Sequence, residues 1–115
     1  MPPRTILLCT GTPSPDMSHW GSSSVVRVGE EWLMFDCGYA ATYKLHQAGF
    51  SSTQIDRLFF THHHSDHDAD YPSFLLTRFD MSIGKESELK VYGPKLTEQL
   101  TERLMGKDTG AFWHD

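Results

Sequence analysis

Ile55-Asp56-Arg57-Leu58-Phe59-Phe60-Thr61-His62-His63-His64-Ser65-Asp66-His67-Asp68 decides both the fold and the chemistry of this chain. The run from Ile55 to Phe60 is compact, apolar and rich in strand formers, and it delivers the backbone directly into a histidine cluster. Residues 62–67 hold four histidines and one aspartate, a density far above what seven histidines spread over 115 residues would give by chance. On an extended backbone, side chains at i and i+2 project the same way. His62 and His64 therefore present two imidazoles to one cation, and His63 points elsewhere. A turn at Ser65 swings Asp66 and His67 toward a neighbouring point, where one carboxylate and one imidazole suit a second cation about 3.5–4 Å away. Neutral imidazole and carboxylate hold Zn²⁺ while leaving a position for water, whose pKa the cation lowers to roughly 7. That chemistry is hydrolytic.

Upstream, Thr5 to Cys9 reads as a buried strand, broken by Gly11-Thr12-Pro13-Ser14-Pro15 into a loop that runs to about Ser22. Val25, Val26 and Val28, then Gly29-Glu30-Glu31, then Trp32-Leu33-Met34-Phe35 read as a β-hairpin. Ala41, Leu45 and Ala48 keep helical spacing before Gly49. Downstream, Pro72 suits the first turn of a helix with Leu75, Leu76 and Phe79 on its apolar face. Leu89 to Tyr92 is a short strand, and Pro94 opens a helix with Leu96, Leu100 and Leu104 on one side and Gly106 after it. The order β, ββ, α, β, α, β, α is an α/β pattern: a mixed sheet with amphipathic helices on one face, formed as one domain over residues 1–115.

Fifteen acidic against ten basic residues give a charge of −5, with the basic residues scattered; nucleic acid is a conceivable partner that the charge does not support. Two cysteines without a C-x-x-C pair exclude a disulfide-stapled secreted domain and favour a reduced, cytoplasmic setting. The apolar run at Ile6-Leu7-Leu8-Cys9 is too short for a signal-peptide core or a membrane span, so no membrane partner is expected.

His62-x-His64-x-Asp66-His67 after an apolar strand resembles the metal-binding motif of the metallo-β-lactamase superfamily. The segments Gly11-Thr12-Pro13-Ser14-Pro15, Gly21-Ser22-Ser23-Ser24 and Phe35-Asp36-Cys37-Gly38, in that order, resemble the opening of its ribonuclease Z-like and arylsulfatase-like branch. The resemblance implies an αββα sandwich of which this chain is the amino-terminal half. It assigns His62 and His64 to one metal and Asp66 and His67 to the other, with Asp66 also orienting the attacking water and Asp36 standing behind the ligands. The family's further His, bridging Asp and last His come from its later half. His114 is the only histidine after the motif here, so a dimer or a missing second half is expected to complete the site. A half sandwich also leaves one sheet face uncovered, with apolar surface exposed. After the motif, Asp68-Ala69-Asp70-Tyr71-Pro72 departs from the Gly-containing continuation of ribonuclease Z.

The expected activity is zinc-dependent hydrolysis of an ester, phosphodiester or related bond in a small-molecule or phosphodiester substrate, at two Zn²⁺ with Mn²⁺ or Fe as alternatives. The competing readings are a truncated, non-catalytic metal-binding or interaction module, and a tRNA 3′-processing endonuclease of ribonuclease Z type. His63 reads as a flanking or substrate-facing residue. Asp68 and Asp70 read as partners of a helix dipole outside the site. His19 and Trp20 belong equally to a cleft or a solvated loop, His46 and His114 read as surface residues, and Cys9 and Cys37 as small buried thiols. The residue 11–15 loop lacks the Gly and Lys-Ser/Thr pattern of a phosphate cradle and reads as a turn.

Overall fold

Arg4–Cys9 forms β1, Ser23–Val28 β2, and Glu31–Phe35 β3, the last two joined by the two-residue turn Gly29-Glu30. Gly29 holds φ +64, a left-handed conformation that glycine adopts without a Cβ clash. Ala41–Gln47 (α1) follows, then one 3₁₀ turn at Ser52–Gln54, Ile55–Phe59 (β4), Ser65–Asp68 (α2), Tyr71–Ser82 (α3), Lys90–Tyr92 (β5) and Leu96–Met105 (α4). This computed structural model describes residues 4–9, 21–83, 85–108 and 110–112. The expected loop of residues 11–20 with His19 and Trp20, the Cys9 side chain, and His114 lie outside the described residues.

The sheet is mixed α/β in type, five strands in the order β1-β2-β3-β4-β5, antiparallel from β1 to β3 and parallel from β3 to β5. Val25, Met34, Leu58 and Val91 form a cross-strand row on one face. The first three are fully buried, together with Leu45 of α1 and Tyr71 and Phe74 of α3, so the helices cover this side. The other row, Leu7, Ser24, Phe35, Phe59 and Tyr92, has no helix over it among the described residues. There Phe35 stacks on Phe59 and Phe59 on Tyr92, each pair with ring centroids 4.9 Å apart. Leu7 is 68% exposed and Tyr92 43%, so apolar side chains stand open on this face among the described residues. The expectation that β1 is buried is thereby corrected. It pairs with β2 alone among the described strands and turns Leu7 to the open face. An apolar run cannot by itself say whether both sides of a strand are covered.

The α3 helix begins at Tyr71, with Pro72 in its first turn as expected, yet it buries a different face. Tyr71, Phe74 and Arg78 point into the core, whereas Phe79 is 53% exposed. Leu75 packs against the core from a partly buried position, and with Leu76 and Phe79 it lines a mostly apolar cleft of about 340 Å³ shared with Leu89, Met105 and Phe112. Arg78 takes the core position because its guanidinium donates to the carbonyls of Ser52 (3.0 Å), Ile55 and Ser87 (2.6 Å). On α4 the corresponding correction is smaller: Leu100 and Leu104 reach the core, Leu96 is 49% exposed, and Thr97 is buried in its place. Burial pushes the Tyr71 phenol up, so it stays neutral and ties α3 to α4 through Thr101 Oγ1 at 2.8 Å.

Candidate metal centre

Because β3 and β4 run parallel, their carboxyl ends open on the same edge of the sheet, and antiparallel β2 starts there too. Three backbone segments meet at that edge. Ser22 N donates to Asp66 O (2.6 Å), Gly38 N to Ser22 O (2.9 Å), Cys37 N to His67 O (2.6 Å), and Asp70 N to Cys37 O (3.0 Å). The Gly21-Ser22 and Asp36-Cys37-Gly38 motifs thus form the floor on which the histidine segment rests. A Cβ on Gly38 would lie 2.1 Å from Asp66 O and 2.5 Å from Ser22 N, and one on Gly21 2.2 Å from Tyr39 N. Backbone cannot yield there as a flexible side chain does. Gly38→Ala is therefore expected to lower the unfolding free energy by about 2–3 kcal/mol. Gly49→Ala (φ +95, nothing within 4 Å of its Cβ) should cost only about 1 kcal/mol, so denaturant titration of the two variants separates crowding from dihedral strain.

The turn expected at Ser65 is a single helical turn, α2, closed by His67 N donating to His64 O at 2.8 Å. It brings His62, Asp66 and His67 together, with one ligand atom from each within 4.8 Å of the others. The rings of His62 and His67 lie 4.1 Å apart, centre to centre. His64 stands outside this set: its ring is edge-on to His62 at 4.5 Å and the residue is exposed. The convergent set cuts across the expected division into His62 with His64 and Asp66 with His67. His63 is turned away from the cluster, as alternation predicts.

Asp36, 4% exposed with φ 62, lies beneath the cluster. Its Oδ2 receives His67 Nδ1 at 2.8 Å and the Thr61 hydroxyl at 2.9 Å, and its Oδ1 receives Thr61 N at 2.8 Å. A carboxylate can only accept, so His67 carries its hydrogen on Nδ1 and leaves the Nε2 lone pair free, the arrangement that orients a metal-binding imidazole. On the opposite side, Asp66 Oδ1 is buried with no hydrogen-bond partner. A buried carboxylate with an unpartnered oxygen is costly, and a cation held by that carboxylate, whose Oδ2 lies 3.5 Å from His67 Nε2, offsets the cost, so the residues present fit a divalent metal.

Asp70 caps α1 rather than its own helix, accepting from Thr42 N at 2.7 Å, and Asp68 bonds His63, so both act through specific partners as well as through a dipole. His46 is half-buried, not a surface residue, and Cys37 is fully buried as expected. Sequence reasoning passed over Thr61, whose amide and hydroxyl both fix Asp36; its place directly before the first histidine was the available signal.

Residues 21–113 match the metallo-beta-lactamase superfamily. The chain is 34% identical over 107 residues to ribonuclease Z of Mycobacterium sp. (strain KMS), a match that covers 90% of this chain and 38% of that protein. It is 31% identical over 110 residues to ribonuclease Z of Mycobacterium bovis (strain BCG / Pasteur 1173P2), covering 95% of this chain and again 38% of the relative. Among solved structures, human tRNase Z, short form, superposes with a TM-score of 0.76 at 28% identity, over 96% of this chain and 42% of that one. The metallo-beta-lactamase fold protein YhfI of Bacillus subtilis gives 0.77 at 24% identity, covering 96% and 45%. The chain thus spans well under half the length of the relatives it matches.

Proposed function

Because the chain belongs to the metallo-beta-lactamase superfamily, we propose that it forms the metal-binding part of a zinc-dependent hydrolase that cleaves phosphodiester bonds in RNA. The observation that carries the reading is the convergence of His62, Asp66 and His67, with Asp36 behind His67, Asp66 Oδ2 3.5 Å from His67 Nε2, and the other Asp66 oxygen buried without a partner. The likeness to proteins called ribonuclease Z favours an RNA phosphodiester over other esters. The charge of −5 belongs to a stretch that matches 38% of such a protein and does not set the charge of the whole.

A divalent cation held here would supply polarisation of a phosphoryl oxygen and acidification of a water. The protein's own part is positional. Asp36 holds His67 in the tautomer that binds through Nε2, Thr61 holds Asp36, and the Ser22 and Cys37 amides hold the turn that carries Asp66 and His67. His62 and Asp66 complete the set, and His64, beside His62, is the fourth ligand. Asp66 also orients the attacking water.

Four side chains are too few for two cations at three protein ligands each, so the remaining ligands come from outside this stretch or from a second copy. The same shortage favours the alternative of a non-catalytic metal-binding module. Elemental analysis of the purified chain, run with its native mass, tests both readings. A divalent metal retained by the wild type and lost in Asp66→Ala and His67→Ala is the expected result. Chelator-sensitive cleavage of RNA by a preparation so loaded supports the enzyme, and metal without cleavage in any assembly state supports the module. A folded wild type that takes up no metal overturns the metal centre itself.

A further inference from the structure

His63 is the one histidine of the cluster that the site does not use, and its side chain is only 3% exposed. Its ring packs on Phe60, centroids 4.7 Å apart, and both its nitrogens are engaged: Nδ1 with Asp68 Oδ2 at 3.2 Å and Nε2 with Thr97 Oγ1 at 2.6 Å. Asp68 accepts, so Nδ1 donates, and the Thr97 hydroxyl donates to Nε2. The first bond spans the whole ligand segment, from between His62 and His64 to the end of α2 just past Asp66 and His67, and closes it into a ring. The second fastens that ring to α4, where Thr97 is 5% exposed. Gly93 is shaped around this contact, since a Cβ there would lie 2.2 Å from Thr97 Oγ1 and 3.2 Å from Phe60 Cβ. The backbone is held at the same place, with Phe60 N donating to Tyr92 O at 2.8 Å.

We propose that His63 is a positioning residue: clamped between Asp68 and Thr97, it sets the spacing of the flanking ligands His62 and His64 from Asp66 and His67. The inference rests on the metal-centre reading for its purpose, though not for its geometry. The floor beneath Asp66 and His67 holds one end of the segment, and a buried ring bonded at both nitrogens transmits the rigidity of α4 to the residues on either side of it. Thr97→Val is the sharp probe, because it keeps the shape and removes only the hydroxyl, which leaves Nε2 buried and unpaired.

The experiment compares wild type, Thr97→Val, Thr97→Ser, His63→Leu and the Thr97→Val/His63→Leu double variant by amide hydrogen exchange without metal and by Co²⁺ titration followed in the visible spectrum. In Thr97→Val the amides of Cys37 and His67 should exchange about tenfold faster, the opening expected from one lost buried hydrogen bond, with amides of β2 unchanged. Thr97→Ser should restore the wild-type rates, and the double variant should show no further loss beyond His63→Leu. Co²⁺ affinity should fall in Thr97→Val with an altered ligand-field spectrum, and return in Thr97→Ser. Exchange rates that do not distinguish valine from serine, or an unaltered Co²⁺ spectrum in Thr97→Val, overturn the clamp while leaving the metal centre standing. A wild type that shows the exchange pattern but binds no Co²⁺ supports the clamp and overturns the metal centre.

Discussion

Asp36→Asn is expected to leave the fold standing and to weaken metal binding about 10–100-fold, the range seen when a group orienting a metal-bound histidine is lost. Asparagine matches aspartate in size and is among the residues that tolerate the left-handed backbone that position 36 adopts, φ 62. Its carbonyl can still accept from Thr61 N. Its NH₂ group, however, now faces His67 Nδ1, where the carboxylate accepted at 2.8 Å. Two donors cannot share that contact, so the imidazole must place its lone pair on Nδ1 and its hydrogen on Nε2, the atom that should bind the cation. Metal affinity measured by chelator competition, beside circular dichroism and a melting curve, tests this. Asp36→Ala is the contrasting variant: it removes the acceptor of Thr61 N and of the Thr61 hydroxyl and puts alanine at a positive φ, and it should lower stability as well as affinity. Unchanged affinity in a folded Asp36→Asn protein would show that His67 is not held as a ligand.

Arg78→Leu is the largest stability loss expected outside the site, about 3 kcal/mol or more by denaturant unfolding, because it removes a buried guanidinium that donates to the carbonyls of Ser52, Ile55 and Ser87 and ties α3 to them. The substitution makes the residue more apolar and the helix no worse, so any account based on amphipathicity alone predicts the opposite sign. Arg78→Lys should recover little, since one ammonium on a flexible stem cannot reach three carbonyls that the planar guanidinium spans. A loss below about 1 kcal/mol in Arg78→Leu would mean that water satisfies those carbonyls and that the core tolerates the swap.

The two variants mark where the sequence could and could not be read. The strand entering His62-x-His64-x-Asp66-His67, the hairpin across Gly29 and the helix starting near Pro72 were legible because each rests on a local rule: strand propensity, glycine's access to positive φ, or proline's fit in a first helical turn. The alternation that turns His63 away from His62 and His64 was legible for the same reason. Which face of α3 is buried was not, since Leu75, Leu76 and Phe79 make the better apolar stripe and Arg78 wins its place only through carbonyls 23 and 26 residues upstream. Nor could the sequence show that β1 turns Leu7 outward, because strand patterning does not record what lies over each face. The residue types able to bind a metal, and their place at the end of a strand, were determined by the sequence alone. The convergence of His62 with Asp66 and His67, the tautomer fixed by Asp36 and the clamp on His63 from Thr97 were decided only by the tertiary structure. These depend on contacts 31 and 34 residues apart, and the geometry of such contacts follows from the packing of the sheet, not from the order of neighbours along the chain.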